Sequence, residues 1–344
     1  ATVSYTVGVE GITAGASHTA GLAVFSFLFF ALVLFFSLRP GEIMTWIGKV
    51  LNPLFLLFLG ILLVRALASP AGAIRDVAPE GGYVHGAFFT GLLEGYNTMD
   101  VLAGLAFGIV VVDAIRGLGA EEPGEIAKST VKAGLFSSLL MALIYVMVTV
   151  MGAQSRGVFP ASENGGEALA KIAGYYFGTA GALILAVTVT VACLKTAVGL
   201  ITSCGRTFVK LFPGGPSYRI WAAAFCVLSF LIANLGLNTI IAYSMPVLMF
   251  LYPLAIVLIA LTFSDRLFHG KKGVYQCVMA FTAFGAVFDF LRALPDDISS
   301  LPVIERITET AALLLPFSEQ GVGWVCPALA GFIVGFLCSH KSDL

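Results

Sequence analysis

Nine runs of about twenty apolar residues divide the chain, and each is long enough to cross the hydrocarbon core of a lipid bilayer. A backbone in lipid must satisfy its own N–H and C=O groups, so only α-helices and closed barrels span membranes. The runs are far longer than the alternating strands of roughly ten residues that build a barrel. The sequence therefore predicts an all-α, polytopic membrane helix bundle with spans at 19–38, 45–66, 86–115, 129–152, 180–204, 218–237, 240–263, 274–293 and 322–339.

The composition agrees with a lipid bilayer as the surrounding medium. Charged residues make up 11% of the chain, against about 25% in soluble domains. A soluble monomer this apolar would expose large hydrophobic patches. The net charge of −1 provides no basic field, so nucleic acid is not an expected partner. No low-complexity linker divides the sequence, and we expect one transmembrane domain over residues 1–344.

The basic residues are unequally distributed between the connections on alternate sides of the predicted spans. One side carries twelve of the nineteen lysines and arginines, and the other side carries six. Because cytoplasmic loops are enriched in lysine and arginine, we expect the C-terminus in the cytoplasm and the N-terminus outside. The richer side holds Arg39, Lys49, Arg116, Lys128, Lys132, Arg206, Lys210, Arg219, Arg266, Lys271, Lys272 and Lys341.

The segment 86–115 is too long for one straight span, since a continuous helix of this length would measure about 45 Å. It contains the stretch 94–100 (EGYNTMD), in which Gly95, Asn97 and Thr98 favour non-helical conformations. A broken helix exposes N–H groups on one half and C=O groups on the other, which suit an anion and a cation. The alternative is a continuous helix whose first turns protrude, with Glu94 near the headgroups.

Lys195 lies near the middle of segment 180–204, too far from either end for its amine to reach water easily. Thr188 and Thr202 lie seven residues away on either side and share its helix face, and Thr196 belongs to an adjacent stripe. Hydroxyls, small residues and one lysine suit a water-filled path, in which the lysine replaces a bound metal cation or exchanges a proton. The alternative is a structural ion pair with Glu94, Asp100 or Asp289.

Two polar stretches and one acidic residue complete the pattern. Residues 157–178 predict an external loop followed by a short interfacial helix, and residues 295–320 predict a second external segment. Asp289 precedes Arg292 by about one helical turn, so we expect these two side chains to form an ion pair near the external end of a span. A role of Asp289 in transport is the alternative.

Four stretches of the chain form a recognisable series. They are EGYNTMD at 94–100 with LAFGIV at 105–110, ACLKTAVGL at 192–200, NLGL at 234–237 with PVL at 246–248 and YP at 252–253, and LP at 315–316 with EQG at 319–321, Trp324 and Pro327. Together they resemble the bacterial branched-chain amino acid:cation symporters, the LIVCS family of BrnQ-type carriers.

The resemblance implies twelve spans with an inverted five-helix repeat like that of leucine transporters. It implies uptake of leucine, isoleucine and valine with Na⁺ or H⁺ across the bacterial inner membrane, without a cofactor. The nine segments would be spans four to twelve, so the chain would lack the first three spans and hold about half of the binding residues. Segment 86–115 would be span six and segment 180–204 span eight, which both line the site in that architecture.

We therefore expect a secondary active transporter with no catalytic residues and no metal beyond a transported Na⁺. The branched-chain amino acid would bind at the broken helix, and the cation or proton would couple through the stripe that contains Lys195. The alternatives are a membrane-embedded enzyme, a passive channel, or a carrier for another small amino acid. The substrate-binding candidates are Glu94, Gly95, Tyr96, Asn97, Thr98 and Asp100, and the coupling candidates are Lys195, Thr196 and Thr188.

Overall fold

The computed structural model describes residues 1–8, 18–39, 42–268 and 270–341, and within these ranges the regular structure is entirely helical. The predicted all-α class is thereby confirmed. The side chains at 18, 42–52, 109–110 and 339–341, which include Lys49 and Lys341, lie outside the described residues. The α-helices are α1 (Thr2–Gly8), α2 (His18–Leu38), α3 (Glu42–Ala68), α4 (Tyr83–Tyr96), α5 (Asp100–Gly117), α6 (Pro123–Ser155), α7 (Gly165–Leu211), α8 (Tyr218–Ala233), α9 (Leu237–Phe263), α10 (Asp265–Phe268), α11 (Lys272–Arg292), α12 (Asp296–Ser299), α13 (Pro302–Leu314) and α14 (Val325–Lys341).

Each of the nine predicted segments lies largely on a helix or, at 86–115, on the consecutive pair α4 and α5, although 218–237 extends past the end of α8 at Ala233 and 322–339 begins before α14 at Val325. In the described part of the chain, five helices are long and apolar enough to cross a bilayer: α2, α6, α7, α9 and α11. Three shorter apolar helices are Pro53–Ala68, Tyr218–Ala233 and Val325–Cys338. This set of helices fits a polytopic membrane bundle, and the nine separate crossings stay a prediction.

Internal contacts divide the chain into two compact units. Unit 1 comprises Ala1–Ala78 and Ala106–Ile240, and unit 2 comprises Pro79–Leu105 and Ile241–Leu344. Helices α5 and α9 each begin in one unit and end in the other. A division by contacts does not test whether both units act as one domain, so the single domain stays a prediction.

Unit 1 is built around the long helix α7. Helices α1, α3 and α8 pack against α7, and α2 packs against both α7 and α8. One apolar core lies between α3 and α7, where Leu62, Leu63 and Leu185 are fully buried. A second core joins α2, α7 and α8 around Phe29 and Ile201. The burial of these aliphatic and aromatic side chains fixes α7 among its neighbours.

Helix α7 consists of two helical parts joined at Gly178. Gly178 has φ 61° and ψ −155°, a combination that is essentially restricted to glycine. The first part begins at Asn164, whose side-chain oxygen accepts a hydrogen bond from the N–H of Glu167 at 3.0 Å. The short helix predicted within 157–178 is therefore present, and the second part of α7 contains the predicted segment 180–204. The external position of the short helix stays a prediction.

Unit 2 is organised by α11, which packs along α14 and against α13. Its apolar core includes Val274 and Val278 of α11. Farther along α11, Gly285 permits a close approach, since a Cβ there would lie 2.7 Å from the Cα of Trp324. Between α13 and α14 the chain forms a tight turn over residues 317–323, which we call the pre-α14 turn.

The predicted segment 295–320 contains helices α12 and α13 and the start of the pre-α14 turn. In the turn, Phe317 and Gly321 both have positive φ, at 64° and 71°. These left-handed residues reverse the chain direction on either side of a short 3-10 helix, Ser318–Gln320. The turn contacts α4 as well as α13. Its position therefore depends on two other elements of unit 2.

We expect Gly285→Ala to destabilise the protein by about 1–3 kcal/mol, because the added methyl group would overlap backbone that cannot move independently. The measurement is thermal unfolding of the purified protein in detergent. Gly134→Ala on α6 is the matched control, because a Cβ at Gly134 would meet nothing within 4 Å. Equal unfolding temperatures for the two variants would contradict the close packing of α11 against Trp324.

Candidate functional site

The predicted interruption of segment 86–115 is present in unit 2. Helix α4 ends at Tyr96, α5 begins at Asp100, and the three residues between them belong to neither helix. One of the three, Met99, has φ 58°, in the left-handed region that costs a residue with a side chain about 1–2 kcal/mol. The prediction of a broken helix is confirmed, and the alternative of a continuous helix is wrong.

Local hydrogen bonds close the end of α4. The three amides that follow the helix donate to its last three carbonyls at 3.0, 3.3 and 3.1 Å. The side-chain amide of Asn97 donates to the carboxylate of Glu94 at 3.0 Å, and the hydroxyl of Thr98 donates to the carbonyl of Gly95 at 2.8 Å. These carbonyls each already accept a hydrogen bond, which weakens them as ligands for a cation.

The start of α5 keeps its amides open. The N–H of Ala103 donates to the carbonyl of Met99 at 2.9 Å, whereas the N–H groups of Val101 and Leu102 have no backbone acceptor among the described residues. Open amides at a helix N-terminus attract anionic groups. The hydroxyl of Tyr252 lies near this end in unit 2, beside the N–H groups of Val101 and Met99 and the hydroxyl of Thr98, without forming a hydrogen bond.

A pair of stacked tyrosine rings lies beside the break. The ring centroids of Tyr96 and Tyr252 are 4.4 Å apart, and the ring planes differ by 15°. Both side chains are buried, with Leu93, Leu248 and Met249 packed around them. A stacked pair adds about 0.5–1.5 kcal/mol beyond the burial of its area. The pair therefore holds the end of α4 against α9 and places apolar ring surface next to the open amides.

The remaining candidates at the break differ in exposure within unit 2. Glu94, Gly95 and Thr98 are exposed, whereas Asn97 and Asp100 are half-buried. Asp100 is the first residue of α5, where a carboxylate complements the helix dipole. The six substrate-binding candidates thus surround one interruption, and buried Tyr96 joins it to the neighbouring helix.

Asp289 does not form the predicted ion pair with Arg292. Its side chain is 3% exposed and neither carboxylate oxygen has a hydrogen-bond partner, whereas Arg292 is exposed. The carboxylate is packed against the pre-α14 turn, and a Cβ at Gly323 would lie 3.3 Å from its Oδ1. The prediction from sequence spacing is wrong because packing against this turn directs the carboxylate away from the exposed guanidinium.

The coupling candidates lie together on α7 in unit 1. Lys195 is half-buried and forms no ion pair or hydrogen bond with a described residue of its own unit. The hydroxyl of buried Thr188 donates to the carbonyl of Ile184 at 2.7 Å, and that of exposed Thr196 donates to the carbonyl of Ala192 at 3.0 Å. Both hydroxyl oxygens keep lone pairs that can accept a hydrogen bond or contact a cation. The alternative ion pair of Lys195 involves acids of unit 2 and stays a prediction.

A cavity of about 940 Å³ lies in unit 1 beside α1. Its polar wall is a hydrogen-bonded chain: the amide of Asn164 donates to the side-chain oxygen of Asn238 at 3.0 Å, and the amide of Asn238 donates to the carboxylate of Glu163 at 2.7 Å. These bonds tie the loop before α7 to the first turn of α9. The residues that line the cavity do not include the substrate or coupling candidates.

Sequence reasoning missed two aromatic residues around the break. Tyr252 stacks on Tyr96, and the indole N–H of Trp324 is directed towards the hydroxyl of Tyr96. Both belong to the motifs that carry the family resemblance, and Tyr252 precedes a proline within an apolar segment. Nothing in the local sequence pattern connects Tyr252 and Trp324 with residues 94–100, so their position beside the break is apparent only in the folded structure.

An all-helical chain with several apolar helices, one of which is interrupted at a polar motif, defines a multi-pass membrane protein. The chain also matches the family described as branched-chain amino acid transport protein over residues 1–342. It therefore belongs to that family, and the resemblance found in its motifs is confirmed.

Relatives from several bacteria are similar over almost the whole chain. The branched-chain amino acid permease BrnQ of Lactobacillus delbrueckii subsp. lactis is 46% identical over 334 residues, which are 97% of this chain and 74% of that protein. The permeases named BrnQ from Bacillus subtilis (strain 168) and Escherichia coli (strain K12) are 41% and 33% identical, each over 98% of this chain and 74% of the relative. These proteins are named as transport permeases rather than enzymes. No solved structure matches the chain significantly.

We expect Met99→Ile to destabilise the protein by about 1–2 kcal/mol, because a β-branched side chain tolerates positive φ poorly. Met99→Gly should instead raise the unfolding temperature, since glycine adopts this conformation without a steric penalty. Thermal unfolding in detergent measures both effects. The matched control is Met141→Ile, within the regular helix α6. A stabilising Met99→Ile would show that residue 99 is helical in the protein.

Proposed function

We propose that the protein is a secondary active transporter that imports leucine, isoleucine and valine by symport with Na⁺ or H⁺. Its membership in the branched-chain amino acid transport family supports the substrate class. The names of its relatives, which are permeases, favour a carrier over an enzyme. The observation that carries the mechanism is the open N-terminal end of α5 beside two buried aromatic rings.

The substrate carboxylate would bind at the start of α5. The N–H groups of Val101 and Leu102 offer donors there, and the helix dipole favours a negative charge. The hydroxyl of Tyr252 lies near this end, so the carboxylate would displace it. The carboxylates of Asp100 and Glu94 flank the same break and suit the substrate ammonium group.

The aliphatic side chain of the substrate would contact the tyrosine pair. Tyr96 and Tyr252 present ring surface, and Leu248 and Met249 extend the apolar lining. Each buried methylene contributes about 0.8 kcal/mol, so leucine, isoleucine and valine gain affinity that alanine lacks. Because the rings are buried at 4% and 3% exposure, substrate entry requires a movement of α4 or α9, as alternating access demands.

Packing in unit 1 supports the proposed inverted repeat. By the family resemblance, α1 would be only the end of span three and α2 would be span four, while α7 and α8 would be spans eight and nine. In an inverted repeat of five helices, these are corresponding pairs. Within unit 1, α1 packs on α7 and α2 packs on α8, while consecutive helices also touch within each pair. Such reciprocal packing is expected of two related helix pairs that face each other.

We propose the bacterial inner membrane as the location, with the C-terminus in the cytoplasm. The support is the unequal distribution of lysine and arginine between the two sides. The connection between α9 and α11 carries Arg266, Lys271 and Lys272, and would be cytoplasmic. The turn between α8 and α9, which contains no lysine or arginine, would be external.

Coupling is proposed to involve Lys195, Thr188 and Thr196. Lys195 has no carboxylate partner within its unit, so its ammonium group remains available to replace a metal cation or to exchange a proton. Thr188 and Thr196 lie about two turns apart on the same helix, so their hydroxyl oxygens could each contribute to a separate Na⁺ position along the stripe. Either arrangement would favour the substrate-loaded state when the coupling ion is bound.

Counterflow tests the carrier function directly. Proteoliposomes loaded with unlabelled leucine should accumulate labelled leucine transiently, because a carrier exchanges substrate on both sides of the membrane. Internal isoleucine or valine should support the exchange, and internal lysine should not. Entry of labelled leucine at the same rate into empty and loaded vesicles would indicate a channel, and no entry into either would refute leucine transport.

We expect Lys195→Thr to change the dependence of leucine uptake on Na⁺, because it removes the cationic group from the proposed coupling stripe. Initial uptake rates are measured with and without Na⁺, and at two external pH values. Lys210→Thr is the matched control, since this lysine is exposed near the end of the same helix. An ion profile identical to that of the unsubstituted protein would remove Lys195 from the mechanism.

A further inference from the structure

The side chain of Asp289 is buried in unit 2 and has no role in the proposed substrate site. It is 3% exposed, and neither of its carboxylate oxygens has a hydrogen-bond partner among the described residues. A buried carboxylate without a cationic partner is costly, because its charge has left water without compensation. An acidic residue inside a membrane bundle is therefore expected to carry a proton, to bind a cation or to have a function.

The packing of α11 brings this carboxyl to the start of α14. The close approach of Gly285 to Trp324 draws the two elements together, and Asp289 lies one turn farther along the same face of α11. The carboxyl lies beside the N–H groups of Gly323 and Trp324, just before α14, without a hydrogen bond to either. The N-terminus of this 17-residue helix thus receives an unpartnered acid.

The surrounding atoms are donors rather than cation ligands. Besides the two backbone N–H groups, the indole N–H of Trp324 is buried without a partner and is directed towards the hydroxyl of Tyr96. Hard cations such as Na⁺ are bound by several oxygen atoms, whereas the backbone groups described beside this carboxyl are N–H donors. A proton needs only one carboxylate oxygen, so it is the occupant that the geometry favours.

Few charged groups act on this carboxyl. Among the described residues, Arg292 on α11 and Tyr96 on α4 interact with it electrostatically. The other charged or titratable groups on the elements around it form no ion pair with it. They are Tyr83, His85 and Glu94 on α4, Lys272, Tyr275 and Cys277 on α11, Glu305, Arg306 and Glu309 on α13, Glu319 in the pre-α14 turn, and Cys326 and Cys338 on the described part of α14.

Two contacts link Asp289 to the broken helix. Tyr96, which interacts with the carboxyl of Asp289, is the last residue of α4 and stacks on Tyr252. The pre-α14 turn, against which the carboxyl packs, also contacts α4, where a Cβ at Gly321 would lie 2.7 Å from a methyl of Leu93. A change in the charge of Asp289 would therefore affect α4 both through Tyr96 and through the pre-α14 turn.

We propose that Asp289 is a proton-binding site whose carboxyl gains and loses a proton as the pre-α14 turn moves. In one state the acid is neutral and buried as described, and in the other it ionises when the donors of the turn or water reach it. The O–H bond of the Asp289 carboxyl is the only bond formed or broken. The link to leucine uptake rests on the proposed transport function, whereas proton binding does not.

Labelling with a lipid-soluble carbodiimide tests proton binding without any transport assay. This reagent reacts with protonated carboxyls in apolar surroundings, and mass spectrometry locates the product in the purified protein reconstituted in vesicles. We expect Asp289 to be labelled at acidic pH, and the labelling rate to fall about tenfold per pH unit above its titration. Asp297, which is exposed on α12, is the control and should react with a water-soluble carbodiimide instead.

Either of two labelling results would overturn the proposal. No labelling of Asp289 at any pH would show a permanently ionised cap of α14, and labelling that is independent of pH would show a permanently neutral acid. The experiment uses the unsubstituted protein, so it does not depend on the folding of a variant.

The transport arm compares Asp289→Asn with Asp297→Asn. Leucine uptake by Asp289→Asn should lose its dependence on external pH, because the amide cannot exchange a proton, while Asp297→Asn should keep the original profile. An unaltered pH profile in Asp289→Asn would refute the coupling of this proton to transport. If the unsubstituted protein carries no leucine, the proposed function fails while pH-dependent labelling of Asp289 still stands.

Discussion

The hydrogen bonding of backbone groups at the helix break determines what the rest of unit 2 can do. In lipid, a backbone amide or carbonyl that lacks a protein partner cannot form a hydrogen bond to water instead. The backbone groups at a helix interruption must therefore bond to the protein itself or to a ligand. Helix α4 closes its own end, because the following three amides and the hydroxyl of Thr98 donate to its last carbonyls, while the side-chain amide of Asn97 donates to the carboxylate of Glu94. Helix α5 does not, and amides without acceptors at a helix N-terminus favour a negative group.

The existence of this break follows from local sequence, but its polarity does not. The length of segment 86–115 and the poor helix formers Gly95, Asn97 and Thr98 suffice to predict an interruption. Which helix end keeps backbone groups without hydrogen bonds depends on the direction in which the side chains of Asn97 and Thr98 bond. Asn97 and Thr98 both bond backwards to α4, although each could equally have capped α5. The Tyr96–Tyr252 stack lies beyond sequence reasoning for another reason, since it joins residues that are distant in the chain.

The stripe on α7 and the acid on α11 show where helical periodicity succeeds and where it fails. Periodicity correctly places Thr188, Lys195 and Thr196 on one helix, because side-chain direction within a helix is a local property. The same reasoning predicted a pair between Asp289 and Arg292, which the structure lacks. Sequence spacing shows that two side chains are close enough to interact. It does not show whether a weak, exposed ion pair is more favourable than tight packing of the carboxylate elsewhere. The close contact of Gly285 with Trp324 decided the outcome.

Lys195 and Asp289, which both lack a partner of opposite charge among the described residues of their own units, differ in their access to water. Lys195 is half-buried, so part of its hydration survives and the cost of its charge is moderate. Asp289 is 3% exposed, and its charge depends almost entirely on a few nearby donors. A small displacement of the pre-α14 turn would therefore alter the free energy of a charge on Asp289 far more than a similar movement would at Lys195. A residue in that position is suited to convert a movement of the chain into the uptake or release of a proton, whereas a partly hydrated lysine is suited to provide a steady positive charge.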